Sequence, residues 1–447
     1  MNTTAQNFVT QLPSAKYKFI LVAYNALWSL LLPILALVSA IKIILRRPGY
    51  DKARLARFSL FKHSLKSTEI LWHCVSVGEV TAIAPLAKKI LSDNPSTSIT
   101  ITTTTPTGAE QVERLLGGQV QHCYLPYDHY WLMSRLITLI QPQLLLITEV
   151  EIWPSLINVC RKRAIPSALV NARMTERSAQ KYMKLGRFFS ETIRQLSAIG
   201  AQSEASQQRY LTLGGHPDST LNLGNIKFEI DRNSVPDDQI QKIGKHCQAQ
   251  KKALMVAGST HAPEEQMCLD LHEQLAKTRD LVTCIVPRHP QRFAEVTEII
   301  EKSGLSFWCY SQESNIPSDC EIVLVDTMGV MQALFKLADI AFVGGSFANR
   351  GGHNALEPAL YSVPVVMGPS QHNNPQITSE LESAGGLVTT ISAHAMFEQL
   401  DEWLGDPQKR KQAGESAHSV IEQNRGALTN NMQLVQSLLS GKQDITC

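Results

Sequence analysis

The hydrophobic pattern divides the chain into two unlike parts. From Phe19 to Ile41, 23 consecutive residues carry no formal charge, reading FILVAYNALWSLLLPILALVSAI. At about 1.5 Å per residue, such a helix is long enough to cross a hydrocarbon core of roughly 30 Å. Pro33 is tolerable there if neighbouring groups or water satisfy the freed carbonyl. The run is longer than a cleaved signal peptide requires and is followed by bases, not by a small-residue cleavage site. Lys42, Arg46, Arg47, Lys52, Arg54 and Arg57 follow it against one acid, Asp51, and only Lys16 and Lys18 precede it. That asymmetry places the rest of the chain in the cytoplasm. An anchor lying on an anionic membrane surface fits the same residues, and the sequence leaves the two arrangements open.

Beyond residue 60 short apolar runs alternate with amphipathic stretches. Strands are expected at 70–75, 99–103, 144–148, 168–171 and 198–202, with helical spacing between them at 82–91 and 109–116. A second series follows at 253–257, 281–286, 322–325, 340–343, 365–367 and 387–390. Strands separated by helices argue for parallel sheets built from βαβ units. The polar segment 228–240, with Pro236 and several Asp, reads as a linker. The fold class is therefore α/β, with an anchor and basic flank at 1–58 and doubly wound, Rossmann-like domains at 59–230 and 231–447. Ligands of such folds bind off the carboxyl ends of the strands, here in the expected cleft between the halves.

Composition narrows the function only slightly. With 42 Lys+Arg against 40 Asp+Glu over 447 residues, the net charge is +2, so nucleic acid binding through bulk charge is excluded as a partner class. The cysteines (74, 123, 160, 247, 268, 284, 309, 320 and 447) form no CxxC pair and no zinc spacing, and read as reduced core thiols.

The densest chemical signal is 342–358, FVGGSFANRGGHNALEP. A strand runs into paired glycines, and a second pair precedes His353, Asn354 and a helical run. Glycines allow close backbone approach to a phosphate, and a helix start offers free N–H groups. Glu357, four residues after His353, can accept hydrogen bonds from ribose hydroxyls. Upstream, Arg288 and His289 follow a strand, where an arginine fork suits a phosphate or carboxylate. Met328 and Gly329, after another strand, can present backbone groups to a nucleobase. In the first half, HCVSVGEV (73–80) ends a strand and places Glu79 in a helix first turn, where it can remove a proton from an acceptor hydroxyl. Glu149 and Glu151 follow an apolar run, an expensive place for a carboxylate without a partner. Lys227, in GNIK, can supply positive charge to a negative leaving group or carboxylate. No Asp-x-Asp, HExxH or Walker sequence occurs, which disfavours Asp-x-Asp-bound metal, zinc proteolysis and P-loop chemistry. A glycosyl transfer using another nucleotide donor, such as a UDP-sugar, stays open on these residues alone.

Together the motifs resemble a known family. SVGE (76–79), TTTTPTG (102–108), YLPYD (124–128), EVEIWP (149–154), NAR (171–173), GNIKF (224–228), GSTH (258–261), PRHP (287–290), DTMG (326–329) and GGSFANRGGHNALEP (344–358) run in the order found in the Kdo (3-deoxy-D-manno-oct-2-ulosonic acid) transferases of lipid A–core biosynthesis in Gram-negative bacteria. The resemblance implies a GT-B fold and an inverting, metal-independent transfer of Kdo from CMP-Kdo to the tetra-acylated lipid A precursor (lipid IVA), with no cofactor. It implies an inner-membrane location, an acceptor domain at 59–230 and a CMP-Kdo-binding domain at 231–447. It implies Glu79 as general base and Glu149 and Lys227 as stabilisers of the transition state. Pro287 and Arg288, Met328 to Val330, and Asn354, Ala355, Leu356 and Glu357 would match the CMP-binding segments. Val330 departs from the Glu common in the family, which confines any role there to its backbone.

Overall fold

A computed structural model of the chain describes residues 13–46, 52–61, 65–184, 186–230, 238–312 and 315–441. The chain forms two compact units, Met1–Glu229 with Arg425–Cys447, and Ile230–Asn424.

Among the described residues the first unit is built on a parallel sheet of β1 (Ile70–His73), β2 (Ile99–Thr103), β3 (Gln121–Tyr124), β4 (Leu144–Thr148), β5 (Ser167–Ala172), β6 (Ala198–Ala201) and β7 (Thr220–Asn222), in the order β3-β2-β1-β4-β5-β6-β7. The second carries β8 (Ala253–Thr260), β9 (Leu281–Pro287), β10 (Phe307–Cys309), β11 (Ile322–Leu324), β12 (Ile340–Val343), β13 (Val365–Met367) and β14 (Leu387–Thr389), in the order β10-β11-β9-β8-β12-β13-β14. Every registered strand pair is parallel. Both faces of each sheet are covered, so the central strands are apolar at successive positions. Ile70, Trp72, Leu144 and Leu146 enter one core of the first unit, while Leu71, Leu145 and Ile147 enter the other. The eight described cysteines are all buried and free, and Cys447 lies outside the described residues.

The interior strands match the expected positions to within a few residues at their ends. Three short strands were not expected: β3, β7 and β10. Each lies at a sheet edge, where one neighbour is missing and burial is incomplete. An edge strand has no need of a continuous apolar run. The expected linker falls largely on residues 231–237, outside the described residues.

One boundary differs from the sequence reading. The segment 231–447 does not stay together: the helix Ala427–Ser440 returns to the first unit and places Met432, Leu434, Val435 and Leu438 in its core. Its apolar face is complementary to the helix Val77–Asp93 and the sheet beneath it, a partner that local spacing does not reveal. The apolar helix Ala15–Ile44 buries Tyr17 and Leu21 against Phe188 of the same unit.

Candidate active site

In a doubly wound sheet the ligand crevice opens at the carboxyl ends of the two strands where the order reverses. In the first unit these are β1 and β4, and both continue into carboxylates. After β1 the chain turns at Ser76 into the helix Val77–Asp93, and Glu79 lies in its first turn. The Val75 N–H donates to Glu79 Oε2 at 2.6 Å, which fixes the side chain back over the strand end. Burial pushes the Glu79 carboxyl up to about 8, opposed by the Val75 hydrogen bond. Glu149 and Glu151 nearby push it further up, and Lys227 pulls it down.

Glu149 follows β4 directly, in a left-handed conformation at φ 58° that L-residues other than Asn and Asp seldom adopt. Its Oε1 accepts from Lys227 Nζ at 2.6 Å, and the Glu149 side chain is only 13% exposed. Two asparagines hold the Lys227 turn. Asn171 Oδ1 accepts from Ile226 N at 3.0 Å, and Asn225 Oδ1 accepts from Lys227 N at 3.1 Å. The buried Tyr210 donates its hydroxyl to the Glu149 carbonyl at 3.1 Å. The structure thus brings Glu79, Glu149 and Lys227 to one strand-end site, with Glu151 beside them. Tyr210 was missed by sequence reasoning, since an isolated tyrosine in the helix Glu204–Thr212 carries no motif.

In the second unit the order reverses between β8 and β12. A cavity of about 300 Å³ opens there, bordered by Gly258 and Ser259 near the end of β8 and by Val343 of β12. Six of the expected donor residues line it: Pro287, Arg288, Met328, Gly329, Asn354 and Glu357. Burial raises the Glu357 carboxyl, opposed by Arg288 and then by a hydrogen bond from Asn354. His353 is pushed down to about 4, by burial first and then by His261, Arg288 and His289, so it is neutral at physiological pH. His353 Nε2 and His261 Nε2 lie 2.9 Å apart, with the rings parallel to within 5°.

Three expected donor residues are placed differently. Ala355 and Leu356 are fully buried and do not line the cavity, and Val330 packs its side chain against a core cluster. The segment 354–357 enters a four-residue helix, Leu356–Ala359, and its two middle side chains point inward while Asn354 and Glu357 face the cavity. His353 precedes that helix and shares no helical face with Glu357.

The glycine-rich loop also differs from expectation. Three of its N–H groups, at Gly345, Phe347 and Ala348, are already bonded from within the unit. The buried Glu264 carboxylate accepts from Gly345 N at 2.8 Å, Phe347 N at 2.9 Å, Ala348 N at 3.2 Å and His261 N at 3.0 Å. Gly345, at φ 72°, would place a Cβ 2.9 Å from the His353 ring. The glycines therefore serve a tight internal fold around Glu264. The signal was present in GSTHAPEE, where an acid follows His261 by three residues, but an internal anion cannot be told from a surface one by spacing. Glu264→Ala should leave these donors without partners and cost about 3 kcal/mol or more. That loss would read as a fall of roughly 10 °C in the melting temperature of the second unit.

Other motifs are structural. Thr105 Oγ1 caps the helix Pro106–Leu116 by accepting from Gly108 N at 3.1 Å. Asp326 ties its strand end to Ser311, accepting from Ser311 N at 2.8 Å and Ser311 Oγ at 2.6 Å. Among the described residues, no group of three or more His, Cys, Asp or Glu is arranged to hold a metal ion.

Sequence comparison places the chain among known proteins. A family model described as 3-deoxy-D-manno-octulosonic-acid transferase (kdotransferase) matches residues 52–230. The 3-deoxy-D-manno-octulosonic acid transferase of Haemophilus influenzae is 37% identical over 375 residues, covering 83% of this chain and 87% of that protein. The chain belongs to the Kdo transferase family. A second relative, the bifunctional glycosyltransferase/methyltransferase of Fusobacterium nucleatum, is 32% identical over 368 residues, covering 81% of this chain and 56% of that protein. Among solved structures, the C-terminal CMP-Kdo binding domain of WaaA from Acinetobacter baumannii is 32% identical. It covers 41% of this chain and 98% of that domain, with a TM-score of 0.39. As a Kdo transferase the chain is a glycosyltransferase, and its two parallel sheets are the Rossmann-like sheets that the GT-B plan requires.

Proposed function

We propose that this Kdo transferase moves Kdo from CMP-Kdo to lipid IVA with inversion at the anomeric carbon and without a metal ion, at the cytoplasmic face of the inner membrane. An acceptor hydroxyl gives its proton to Glu79 as its oxygen bonds to the anomeric carbon. The bond from that carbon to the phosphate oxygen breaks, and CMP leaves with the electron pair. Charge develops on the sugar ring and on the phosphate, so fixed protein charges act most strongly at those two centres. Glu149 and Lys227 serve the transition state. Arg288 meets the phosphate, Asn354 and Glu357 meet the ribose, and the Met328–Gly329 backbone meets the base.

The observation that carries this reading is the convergence of Arg288, Met328, Gly329, Asn354 and Glu357 on one cavity at the switch point of the second sheet. A single cation beside a carboxylate suits one phosphate and one ribose. The 30-residue apolar helix Ala15–Ile44 supports membrane association, which a lipid acceptor requires.

Calorimetric titration with CMP and with UDP tests the donor. CMP is expected to bind more tightly, and Arg288→Ala should weaken it by about 1.5–3 kcal/mol, or roughly tenfold to a hundredfold. A preference for UDP would contradict the Kdo donor.

A further inference from the structure

The apolar helix Ala15–Ile44 is held to the first unit before, within and after its apolar stretch. At its start, Ser14 N and Ser14 Oγ both donate to the Glu191 carboxylate at 2.8 Å. The buried Tyr17 ring lies 5.3 Å from Phe188, and its hydroxyl accepts from Thr192 Oγ1 at 3.3 Å. Two turns further, Tyr24 donates to Asp128 at 3.0 Å, and Asn25 Oδ1 accepts from Tyr130 N at 2.6 Å. Ser29 Oγ meets His129 Nε2 at 3.1 Å. After the helix the chain returns to the same surface. Arg54 donates to the Thr104 carbonyl and Arg57 to the Leu125 carbonyl, each at 2.6 Å. Tyr127 is met from both directions, by Trp28 at 5.6 Å and by Phe58 at 5.2 Å between ring centroids.

A spanning helix would put Ser14 and Phe58 on opposite sides of roughly 30 Å of hydrocarbon. Both are fixed to one globular unit. The burial pattern agrees. Tyr17 and Leu21 are buried, and Tyr24, Trp28, Leu32, Leu35 and Ser39 continue the same face half-buried. On the other side Phe19, Val22, Leu30, Ile34, Leu37 and Ile44 are each 59–77% exposed.

Resting on the membrane association proposed above, we infer that this helix does not cross the bilayer. It lies along the first unit and sinks its outer face into one leaflet, so both its ends stay on the cytoplasmic side. The occupant of the outer face is lipid, not a second copy. Lys16 and Lys18 stand at one end, Lys42 and Arg46 at the other, and the helix contains no acid, which suits anionic headgroups. Apposing two such helices would bring like charges together.

The test uses the full chain with a short N-terminal epitope tag, made in a Gram-negative host. Protease is added to intact spheroplasts, which expose the periplasmic face, and to inside-out inner-membrane vesicles. The tag should survive in spheroplasts and be removed in inside-out vesicles. Removal in spheroplasts would overturn the inference while leaving membrane association intact. Recovery of the chain in the soluble fraction would overturn membrane association itself, and the inference with it. In flotation with phosphatidylethanolamine–phosphatidylglycerol vesicles, Ile34→Glu combined with Leu37→Glu should lower binding about tenfold or more. Unchanged binding, or dimers in place of vesicle binding, would show that lipid does not cover this face.

Discussion

Replacing Glu79 with Gln is expected to lower kcat by roughly 10²–10⁴-fold and to leave CMP-Kdo binding nearly unchanged. Gln retains a carbonyl oxygen for the Val75 N–H, so the strand-end geometry survives and only the base is lost. The wild-type enzyme should show a rising limb in kcat/KM, because the acting form is the carboxylate and its pKa is pushed up to about 8. The limb should be absent from the residual activity of the variant. Stability should move in the opposite sense. A carboxyl raised from 4.5 to about 8 on folding binds its proton more tightly in the native state. Its contribution to stability is therefore present at low pH and lost as pH rises from the unfolded value through the folded one. Above pH 8 the Gln variant should melt higher than the wild type while being nearly inactive. Such a trade of stability for activity is what a functional carboxylate held in a buried place predicts. Near-normal turnover of the purified variant would remove Glu79 from the role of base.

The second large effect is expected at Lys227. Lys227→Ala leaves the Glu149 carboxylate, 13% exposed, without its cation and beside Glu79 and Glu151. Removing one preorganised charge that acts on the transition state costs about 10²–10³ in kcat. KM should change far less, because the interaction strengthens as charge develops. A further signature follows from the electrostatics of the site. Lys227 is one of the groups that lower the Glu79 pKa, so without it the rising limb of the pH profile should move to higher pH. A purely structural role would lower stability without moving that limb. An effect confined to KM would reassign Lys227 to ground-state binding.

The sequence revealed most where burial is complete on both sides. β1, β4, β8, β9 and β12 are interior strands, and their apolar runs stand out because two cores flank each sheet. The edge strands β3, β7 and β10 did not stand out, since one neighbour is missing and polar residues are tolerated. The helix Ala427–Ser440 was assigned to the wrong unit because its amphipathic spacing records that it has a partner, not which one. The site divides in the same way. Glu149 was legible because a carboxylate directly after a buried apolar strand is costly unless it acts or pairs, and it pairs with Lys227; Glu79 and Lys227 stood out by the motifs that carry them. Ala355 and Leu356 entered the expected donor site with the family motif that carries Asn354 and Glu357, and the turn points their side chains into the core. The glycine loop was read as a phosphate cradle, and Glu264 already takes three of its N–H groups, at Gly345, Phe347 and Ala348, from within.

Incubating the purified enzyme with CMP-Kdo and lipid IVA, followed by mass spectrometry of the lipid, tests the central claim most directly. The account predicts a lipid heavier by one or more Kdo residues, formed with release of CMP and lost in Glu79→Gln. An unmodified lipid from folded, membrane-associated, CMP-binding enzyme would contradict it.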